Sequence, residues 1–307
     1  MDPPTARPER FLRLLVVGRL SGLDNLDPMS KNAEQPALEP ESFSPEQDHL
    51  LVERPESGLV VVTLSYPQRR NVMSGPMTAA FARLVPALAA DTRLRAVVIT
   101  GAGTAFCSGG DTSWIGSEPD ATVDRLRDRM MPFYRTWLAV RDLPVPVIVG
   151  INGPAIGAGA CFALAADVRI GAASARFGVP FLKLGMHPGM ATTYLLPEVV
   201  GMAAARDLLY TGRIIKAQRM LELDVITEIL PDEGFGDAMV QIGSAVAANA
   251  PIATRLTKAA LHDGGPRTLE ACIQWEALAQ PITLATADLQ EGMAAVAQKR
   301  TARFVGR

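Results

Sequence analysis

The stretch Asn152-Gly153-Pro154-Ala155-Ile156-Gly157-Ala158-Gly159 follows a short apolar segment, and a similar stretch, Phe106-Cys107-Ser108-Gly109-Gly110-Asp111, follows another. An apolar segment that ends in a glycine-rich turn is typical of a buried strand that leads into a helix. Glycine allows the backbone of such a turn to approach a ligand closely. Two such turns can direct two backbone N–H groups at one point, which is how proteins stabilise an enolate or another oxyanion. Either turn alone is a common strand-to-helix connection, so the pair is the informative feature.

Length and composition leave room for one large globular domain or for a domain with an appendage. The chain has 307 residues, and 48% of them are hydrophobic, which is enough to fill a core. A net charge of −2 gives no electrostatic reason to expect nucleic acid or an anionic membrane as a partner. No apolar run approaches the roughly 20 residues of a membrane helix. The three cysteines, Cys107, Cys161 and Cys272, are too scattered for a disulfide framework and predict a reducing cytoplasm.

Residues 1–48 are predicted to be a disordered N-terminal extension. They hold 7 of the 23 prolines, and acidic residues predominate between residues 31 and 48. Such a composition buries too little apolar surface to offset the entropy of ordering. A regulatory tail is the alternative interpretation. The apolar run that begins at Phe11 is interrupted by Arg13 and lacks a clear cleavage site, so a secretory signal is not expected.

Strands and helices are predicted to alternate from Gly58 to Ile170, which indicates crossover units and a mostly parallel sheet. Ser74 is predicted to cap a helix that Pro86 kinks or ends early. Beyond Pro188 the chain is predicted to be largely helical. The predicted helices in this part span residues 203–210, 216–223, 237–249, 252–262, 268–284 and 288–304.

Further motifs follow the second turn in a fixed order. They are Asp167-Val-Arg-Ile-Gly, Ala175-Arg-Phe-Gly-Val-Pro180, Leu184-Gly-Met-His-Pro-Gly189, Leu208-Leu-Tyr-Thr-Gly-Arg213 and Glu291-Gly-Met-Ala-Ala-Val-Ala-Gln-Lys-Arg300. This order and spacing resemble the crotonase family, which includes the enoyl-CoA hydratases and isomerases. The resemblance runs from about Leu50 to Arg307.

The resemblance implies an α/β fold, namely a crotonase-like spiral of ββα units with a C-terminal helical trimerisation region. Residues 49–250 would form the core with the acyl-CoA site, and residues 251–307 would pack the subunits into a homotrimer or a dimer of trimers. The resemblance also implies a coenzyme A thioester as the substrate, with no separate cofactor and no metal.

Carried over residue by residue, the oxyanion hole of the family falls on the N–H groups of Gly110 and Ala158. The alanine keeps its N–H but adds a methyl group, so the local φ must suit a Cβ. The two glutamates of the family's hydratases fall on Cys161 and Phe181. Hydration requires one group that activates water and one that delivers a proton, so the usual hydratase mechanism is not expected. Isomerases that rely on the second carboxylate are put in doubt as well.

Two nearby residues are candidates for the missing acid or base. His187 is the leading one, because its unperturbed pKa of about 6.5 suits proton transfer near neutrality. The alternative for His187 is a hydrogen bond to the backbone of its loop. Asp111 directly follows Gly110, and its alternative role is to cap the next helix. Cys161 is expected to be a buried and inert thiol.

The resemblance also suggests the surfaces that contact the ligand. The residues expected to form an apolar acyl pocket, with core packing as the alternative, are Trp114, Phe181, Met186 and Met190. The residues expected to bind coenzyme A, with a solvated surface as the alternative, are Gln68, Arg69, Arg70, Ser108, Lys299 and Arg303. Basic side chains among them suit the phosphate groups.

Two functions therefore stay open from the sequence. The first is an acyl-CoA enzyme that stabilises a thioester enolate through Gly110 and Ala158 and carries out isomerisation, decarboxylation or C–C cleavage rather than efficient hydration. The second is a catalytically silent protein that binds acyl-CoA or supports a complex. The intact glycine turns and His187 favour the enzyme, whereas the absence of both glutamates favours the silent protein.

Overall fold

Two sheets form the centre of the fold in the computed structural model, which describes residues 39–56, 58–262 and 265–307. The strands within these residues are β1 (Leu50–Glu53), β2 (Leu59–Leu64), β3 (Ala96–Gly101), β4 (Val147–Ile151), β5 (Pro154–Ile156), β6 (Val168–Ala172), β7 (Arg176–Gly178), β8 (Ile215–Lys216) and β9 (Ile229–Leu230). The larger sheet has the order β1-β2-β3-β4-β6-β9, and the smaller has the order β5-β7-β8. In the larger sheet β1 pairs with β2 in the antiparallel direction and every other pair is parallel. The predicted mostly parallel sheet is therefore confirmed.

Helices cover both faces of the larger sheet. Within the described residues they are α1 (Pro45–Asp48), α2 (Gly75–Ala90), α3 (Thr112–Ile115), α4 (Val123–Leu138), α5 (Ala158–Leu164), α6 (Thr192–Thr211), α7 (Ala217–Glu222), α8 (Phe235–Ala247), α9 (Pro251–Leu261), α10 (Leu269–Leu284) and α11 (Ala287–Gln298). The helical C-terminal part of the chain is thus confirmed. No helix in the described part of the chain combines the length and the apolar character that crossing a membrane requires.

The alternation of β2 shows how the core is divided. Val60 and Val62 belong to the main core, together with buried residues of α2, α4 and α5. Leu59 and Val61 belong to a second cluster on the opposite face, where they join Phe235 of α8. Since both faces are covered, the central strands consist of continuous apolar residues instead of alternating with polar ones.

Helix α2 begins as predicted but extends further than expected. The Ser74 hydroxyl accepts a hydrogen bond of 3.3 Å from the Met77 amide at the start of the helix. The helix continues through Pro86 to its end at Ala90, so the early end considered from the sequence is wrong. Buried Val85 and Leu88 lie on either side of the proline, and their packing outweighs the one hydrogen bond that it removes.

The two ends of the described chain differ from the sequence-based boundaries. Residues 39–48, assigned above to the disordered extension, contain α1, and Phe43 is buried in the main core. The remainder of that extension lies outside the described residues. At the other end α11 stops at Gln298, and the backbone N–H groups of Val305 and Gly306 donate to the buried Asp288 carboxylate. The predicted helix up to residue 304 is therefore too long.

Candidate active site

A cavity of about 120 Å³ lies between the two glycine-rich turns, helices α3 and α4, and the segment that follows β7. Its lining residues are Ser108, Gly109, Gly110, Thr112, Trp114, Ile115, Met130, Phe133, Tyr134, Ile156, Gly157, Ala158, Pro180, Phe181, Leu184, Met186, Gly189 and Met190. Most of these side chains are apolar. Among the described residues, no carboxylate, histidine, lysine or arginine side chain lines the cavity.

Backbone hydrogen bonds hold the two turns side by side. The amide of Cys107 donates to the Pro154 carbonyl over 3.1 Å, and the amide of Ile156 donates to the Cys107 carbonyl over 3.0 Å. Gly109 has a φ of +98° at the closest approach. A Cβ at Gly109 would lie 2.7 Å from the Ile156 carbonyl oxygen and 3.2 Å from the Ala158 nitrogen. Glycine is therefore required at this position by both conformation and space.

Two asparagine side chains, which the sequence analysis did not single out, position the first turn. The Asn71 amide group is fully buried, donates to the carbonyls of Ala102 and Ala105 over 2.9 and 2.8 Å, and accepts from the Tyr66 amide over 2.8 Å. The Asn152 side chain accepts from the Gly101 amide over 3.1 Å. Beyond the end of β3, hydrogen bonds from these two asparagine side chains thus take the place of backbone hydrogen bonds between strands.

The amides of Gly110 and Ala158 both border the cavity. Neither amide donates a hydrogen bond to another group in the part of the chain that the structure describes. Ala158 is the first residue of α5 and is not among the described residues with positive φ, so its methyl group is accommodated without strain. Two unpaired donors beside an apolar cavity are suited to bind an anionic oxygen.

The two positions that correspond to the hydratase glutamates are closed to acid–base chemistry. Cys161 is completely buried, and its Sγ lies 2.6 Å from Thr192 Oγ1 and 3.1 Å from the Gly157 carbonyl oxygen. Burial raises the pKa of the Cys161 thiol to about 12, so the thiol stays protonated and unreactive near neutrality. Phe181 is buried and lines the cavity with its apolar ring.

His187, the leading acid–base candidate from the sequence, does not line the cavity. The residue is exposed, and its Nδ1 lies 2.8 Å from the carbonyl oxygen of Pro188. The backbone hydrogen bond that the sequence analysis held as the alternative is therefore the observed arrangement. The flanking residues Met186 and Gly189 do border the cavity, so the loop is placed as predicted but this side chain is not.

Asp111 caps α3 and pairs with an arginine. Its carboxylate accepts from the amide and the hydroxyl of Ser113 over 3.0 and 2.6 Å, and Arg69 donates to it over 2.9 and 3.2 Å. The hydrogen bond from the Ser113 hydroxyl, followed by that from Arg69, lowers the pKa of Asp111. A carboxylate stabilised in its charged form is a poor proton donor or acceptor at neutral pH. In the structure, Asp111 therefore has the alternative role that the sequence offered, which is to cap α3.

The four residues predicted to form an acyl pocket all border the cavity; they are Trp114, Phe181, Met186 and Met190. Trp114 is held in place by α4. The Arg129 guanidinium lies 4.3 Å from the centre of the Trp114 ring and donates to the Trp114 carbonyl. Phe133 lies on α4 as well, and the centre of its ring is 5.2 Å from the centre of the Trp114 ring.

Among the described residues that line the cavity, Tyr134 alone has a titratable side chain, and the sequence analysis missed it. It lies on α4 between the core residues Phe133 and Trp137, so its aromatic character alone does not distinguish it from core packing. Burial raises the pKa of the Tyr134 phenol, which keeps the hydroxyl protonated.

The residues predicted to bind coenzyme A fall into two groups. Gln68, Arg69 and Arg70 are exposed beside the first turn, and the Ser108 amide donates to the Arg70 carbonyl over 3.0 Å. The second group, which comprises Lys299 and Arg303, is exposed beyond the end of α11 and does not border the cavity. Of these six residues only Ser108 borders the cavity in the described chain, while Arg69 and Arg70 contact the first turn through Asp111 and Ser108. Within the described residues, no three His, Cys, Asp or Glu side chains are grouped to hold a metal ion.

Comparison with known proteins shows a family similarity over nearly the whole described chain. The enoyl-CoA hydratase/isomerase family model matches residues 54–307. The chain is 33% identical over 253 residues to the 1,2-epoxyphenylacetyl-CoA isomerase of Escherichia coli strain K12, a match that covers 82% of this chain and 97% of that protein. It is 34% identical over 262 residues to the probable enoyl-CoA hydratase echA12 of Mycobacterium bovis, with coverage of 83% and 92%.

A solved structure shows the same fold. An enoyl-CoA hydratase from Bacillus anthracis superposes with a TM-score of 0.78 at 31% identity, and the match covers 84% of this chain and 100% of that one. The protein therefore belongs to the enoyl-CoA hydratase/isomerase family and has the crotonase fold that its motifs predicted.

Proposed function

We propose that this protein is an acyl-CoA enzyme that forms a thioester enolate and stabilises it through the amides of Gly110 and Ala158. The observation that supports the proposal most strongly is that both amides are unpaired and border one apolar cavity. Fixed donors that border a largely apolar cavity interact strongly with a developing negative charge. The names of the relatives, which include an acyl-CoA isomerase, support the thioester as the substrate.

The lining of the cavity favours a reaction that needs no side-chain base. Isomerisation starts with removal of a proton, and hydration needs an activated water, but no carboxylate or histidine borders the cavity in the described chain. In decarboxylation the bond between the α-carbon and the carboxyl group breaks, CO₂ leaves, and the electron pair passes into the thioester carbonyl. The α-carbon of the enolate then takes a proton from water, and the hydroxide that remains combines with the CO₂ to give bicarbonate. Decarboxylation is therefore the first choice, and hydration of a short enoyl-CoA should be slow.

The second candidate is a catalytically silent protein that binds acyl-CoA. The same absence of carboxylates and histidines from the cavity supports it, because a binding protein requires only the pocket and the two amides. The two candidates predict the same affinity for a thioester but differ in turnover.

Ala158 offers a matched pair of variants that tests the proposal. Proline is tolerated at the first position of a helix, so Ala158→Pro removes the N–H at little cost to α5. The preceding Gly157 has φ 57° and ψ −123°, which is the mirror image of the extended conformation that residues before proline prefer. Because glycine adopts either form equally well, the conformation of Gly157 is compatible with proline at the next position. Ala158→Gly, which keeps the N–H, is the control.

The assay incubates each form with malonyl-CoA and with methylmalonyl-CoA and measures acetyl-CoA and propanoyl-CoA by liquid chromatography. We expect turnover in the wild type, a similar rate in Ala158→Gly, and a rate on the order of a hundredfold lower in Ala158→Pro. Binding of butanoyl-CoA without turnover of either probe would establish the silent alternative. Absence of any thioester binding would refute both candidates.

The subunit arrangement is part of the same proposal. Large apolar side chains are exposed on the C-terminal helices, among them Leu261, Leu269, Leu278, Met293 and Val296. Exposed apolar surface of this extent is characteristic of subunit contacts, which supports a homotrimer or a dimer of trimers. Assembly would also bring the exposed Lys299 and Arg303 toward the coenzyme A of a neighbouring subunit. The free thiols fit a cytoplasmic location.

A further inference from the structure

We infer that the Tyr134 hydroxyl is a specificity-determining group that selects short acyl chains carrying an oxygen atom close to the thioester. The inference rests on the proposed acyl-CoA function, because it assigns the acyl group that the cavity would receive. Its basis is the position of one unpaired hydroxyl in an otherwise apolar cavity.

The Tyr134 hydroxyl is free to interact with a ligand. It makes no hydrogen bond to another described residue, and it is not among the fully buried polar atoms that lack a partner, so it is accessible from the cavity. Other polar side chains in the lining are occupied or exposed. The Ser108 hydroxyl donates to the Arg69 carbonyl over 3.3 Å, and Thr112 is exposed.

The Tyr134 hydroxyl packs against the Gly189 loop, and this loop and the Ala158 amide border the same cavity. A Cβ at Gly189 would be 2.5 Å from the Tyr134 oxygen, so this oxygen lies against the Gly189 backbone. The Gly189 carbonyl is 3.8 Å from Cys161 Sγ, which in turn is 3.1 Å from the Gly157 carbonyl next to Ala158. A thioester oxygen at the Ala158 amide therefore places the acyl chain in the cavity that Tyr134 also lines.

The size of the cavity limits the acyl group. A cavity of about 120 Å³ is somewhat smaller than the roughly 150 Å³ void that accommodates benzene in another protein. The cavity therefore suits an acyl chain of a few carbons. A plain hydrocarbon chain of this size would displace water from the Tyr134 hydroxyl and leave it unpaired, which is unfavourable. A chain with a hydroxyl, oxo or carboxylate oxygen would accept the hydrogen bond instead.

The test compares two thioesters that differ by one oxygen, butanoyl-CoA and 3-hydroxybutanoyl-CoA, in isothermal titration of the full-length protein. We expect the wild type to bind the hydroxylated chain about tenfold or more tightly than the plain one. Tyr134→Phe should lose this preference, because 3-hydroxybutanoyl-CoA should bind on the order of tenfold more weakly while butanoyl-CoA, which no longer leaves a hydroxyl unpaired, should bind as tightly as before or more tightly. Tyr210→Phe, at an exposed tyrosine of α6, is the control and should retain the preference.

A second variant keeps the test decisive if Tyr134→Phe does not fold. Gly189→Ala adds a Cβ that displaces the Tyr134 hydroxyl, so it should cause the same selective loss. Equal affinity of the wild type for the two thioesters, or an unchanged preference in both variants, would overturn the inference while the proposed function stands. If the wild type binds neither thioester, the proposed function fails, and the inference fails with it.

Discussion

Asn71→Ala should destabilise the protein substantially, because the Asn71 side chain ties three backbone segments together in a fully buried position. The substitution removes one hydrogen bond from the Tyr66 amide and two to the carbonyls of Ala102 and Ala105. Each contributes about 1 kcal/mol net. Asn71 also has a φ of +53°, where alanine pays roughly 1–2 kcal/mol and asparagine is better tolerated. The expected loss of unfolding free energy is therefore about 4 kcal/mol.

Two further substitutions separate these contributions. Asn71→Gly accepts the positive φ but still loses the hydrogen bonds, so it should be about 1 kcal/mol milder than Asn71→Ala. Asn71→Asp keeps the acceptor for Tyr66 but places carboxylate oxygen against two carbonyls, so it should be at least as harmful as alanine. Urea unfolding at one fixed protein concentration, followed by the fluorescence of buried Trp137, measures all three. A loss below about 1 kcal/mol for Asn71→Ala would refute this account of the first turn.

In His187→Ala the affinity for butanoyl-CoA and the rate of any turnover should stay within about twofold of the wild-type values, because the ring is exposed and lies outside the cavity. A tenfold loss of either would make His187 a catalytic candidate again. At pH 8 a thiol reagent should modify only Cys272 in the native protein and all three cysteines in denaturant, since burial raises the pKa of the other two thiols to about 12. Deleting residues 1–48 should lower the melting temperature relative to deleting residues 1–38, because only the longer deletion removes buried Phe43; equal melting temperatures would contradict this.

The central strands and the two glycine-rich turns could be predicted because local sequence carries them. The apolar residues of β3 and β4 and the glycines that follow are consecutive in the chain, so their order indicates strands and close turns directly. The close approach at Gly109 needs a positive φ and no side chain, and glycine is the residue that supplies both.

The direction of individual side chains could not be predicted, since it depends on how elements pack. His187 and Met186 are neighbours, but the histidine is exposed while the methionine borders the cavity. Tyr134 lies among core aromatics of α4, and only the packing of α4 against the Gly189 loop shows that its hydroxyl reaches the cavity. Similarly, the average composition of residues 1–48 concealed an apolar side chain, Phe43, that packs into the core.

The proposed function requires that the amides of Gly110 and Ala158 polarise the carbonyl of a bound thioester, which infrared spectroscopy can detect. Butanoyl-CoA labelled with ¹³C at the carbonyl is bound to the wild type, Ala158→Gly and Ala158→Pro, and the carbonyl stretch is isolated by isotope difference. We expect the carbonyl stretch to shift to lower frequency than in free butanoyl-CoA when the thioester is bound to the wild type or to Ala158→Gly. The shift should be clearly smaller in Ala158→Pro. An unshifted carbonyl in the wild type, or the same shift in all three proteins, would contradict this expectation.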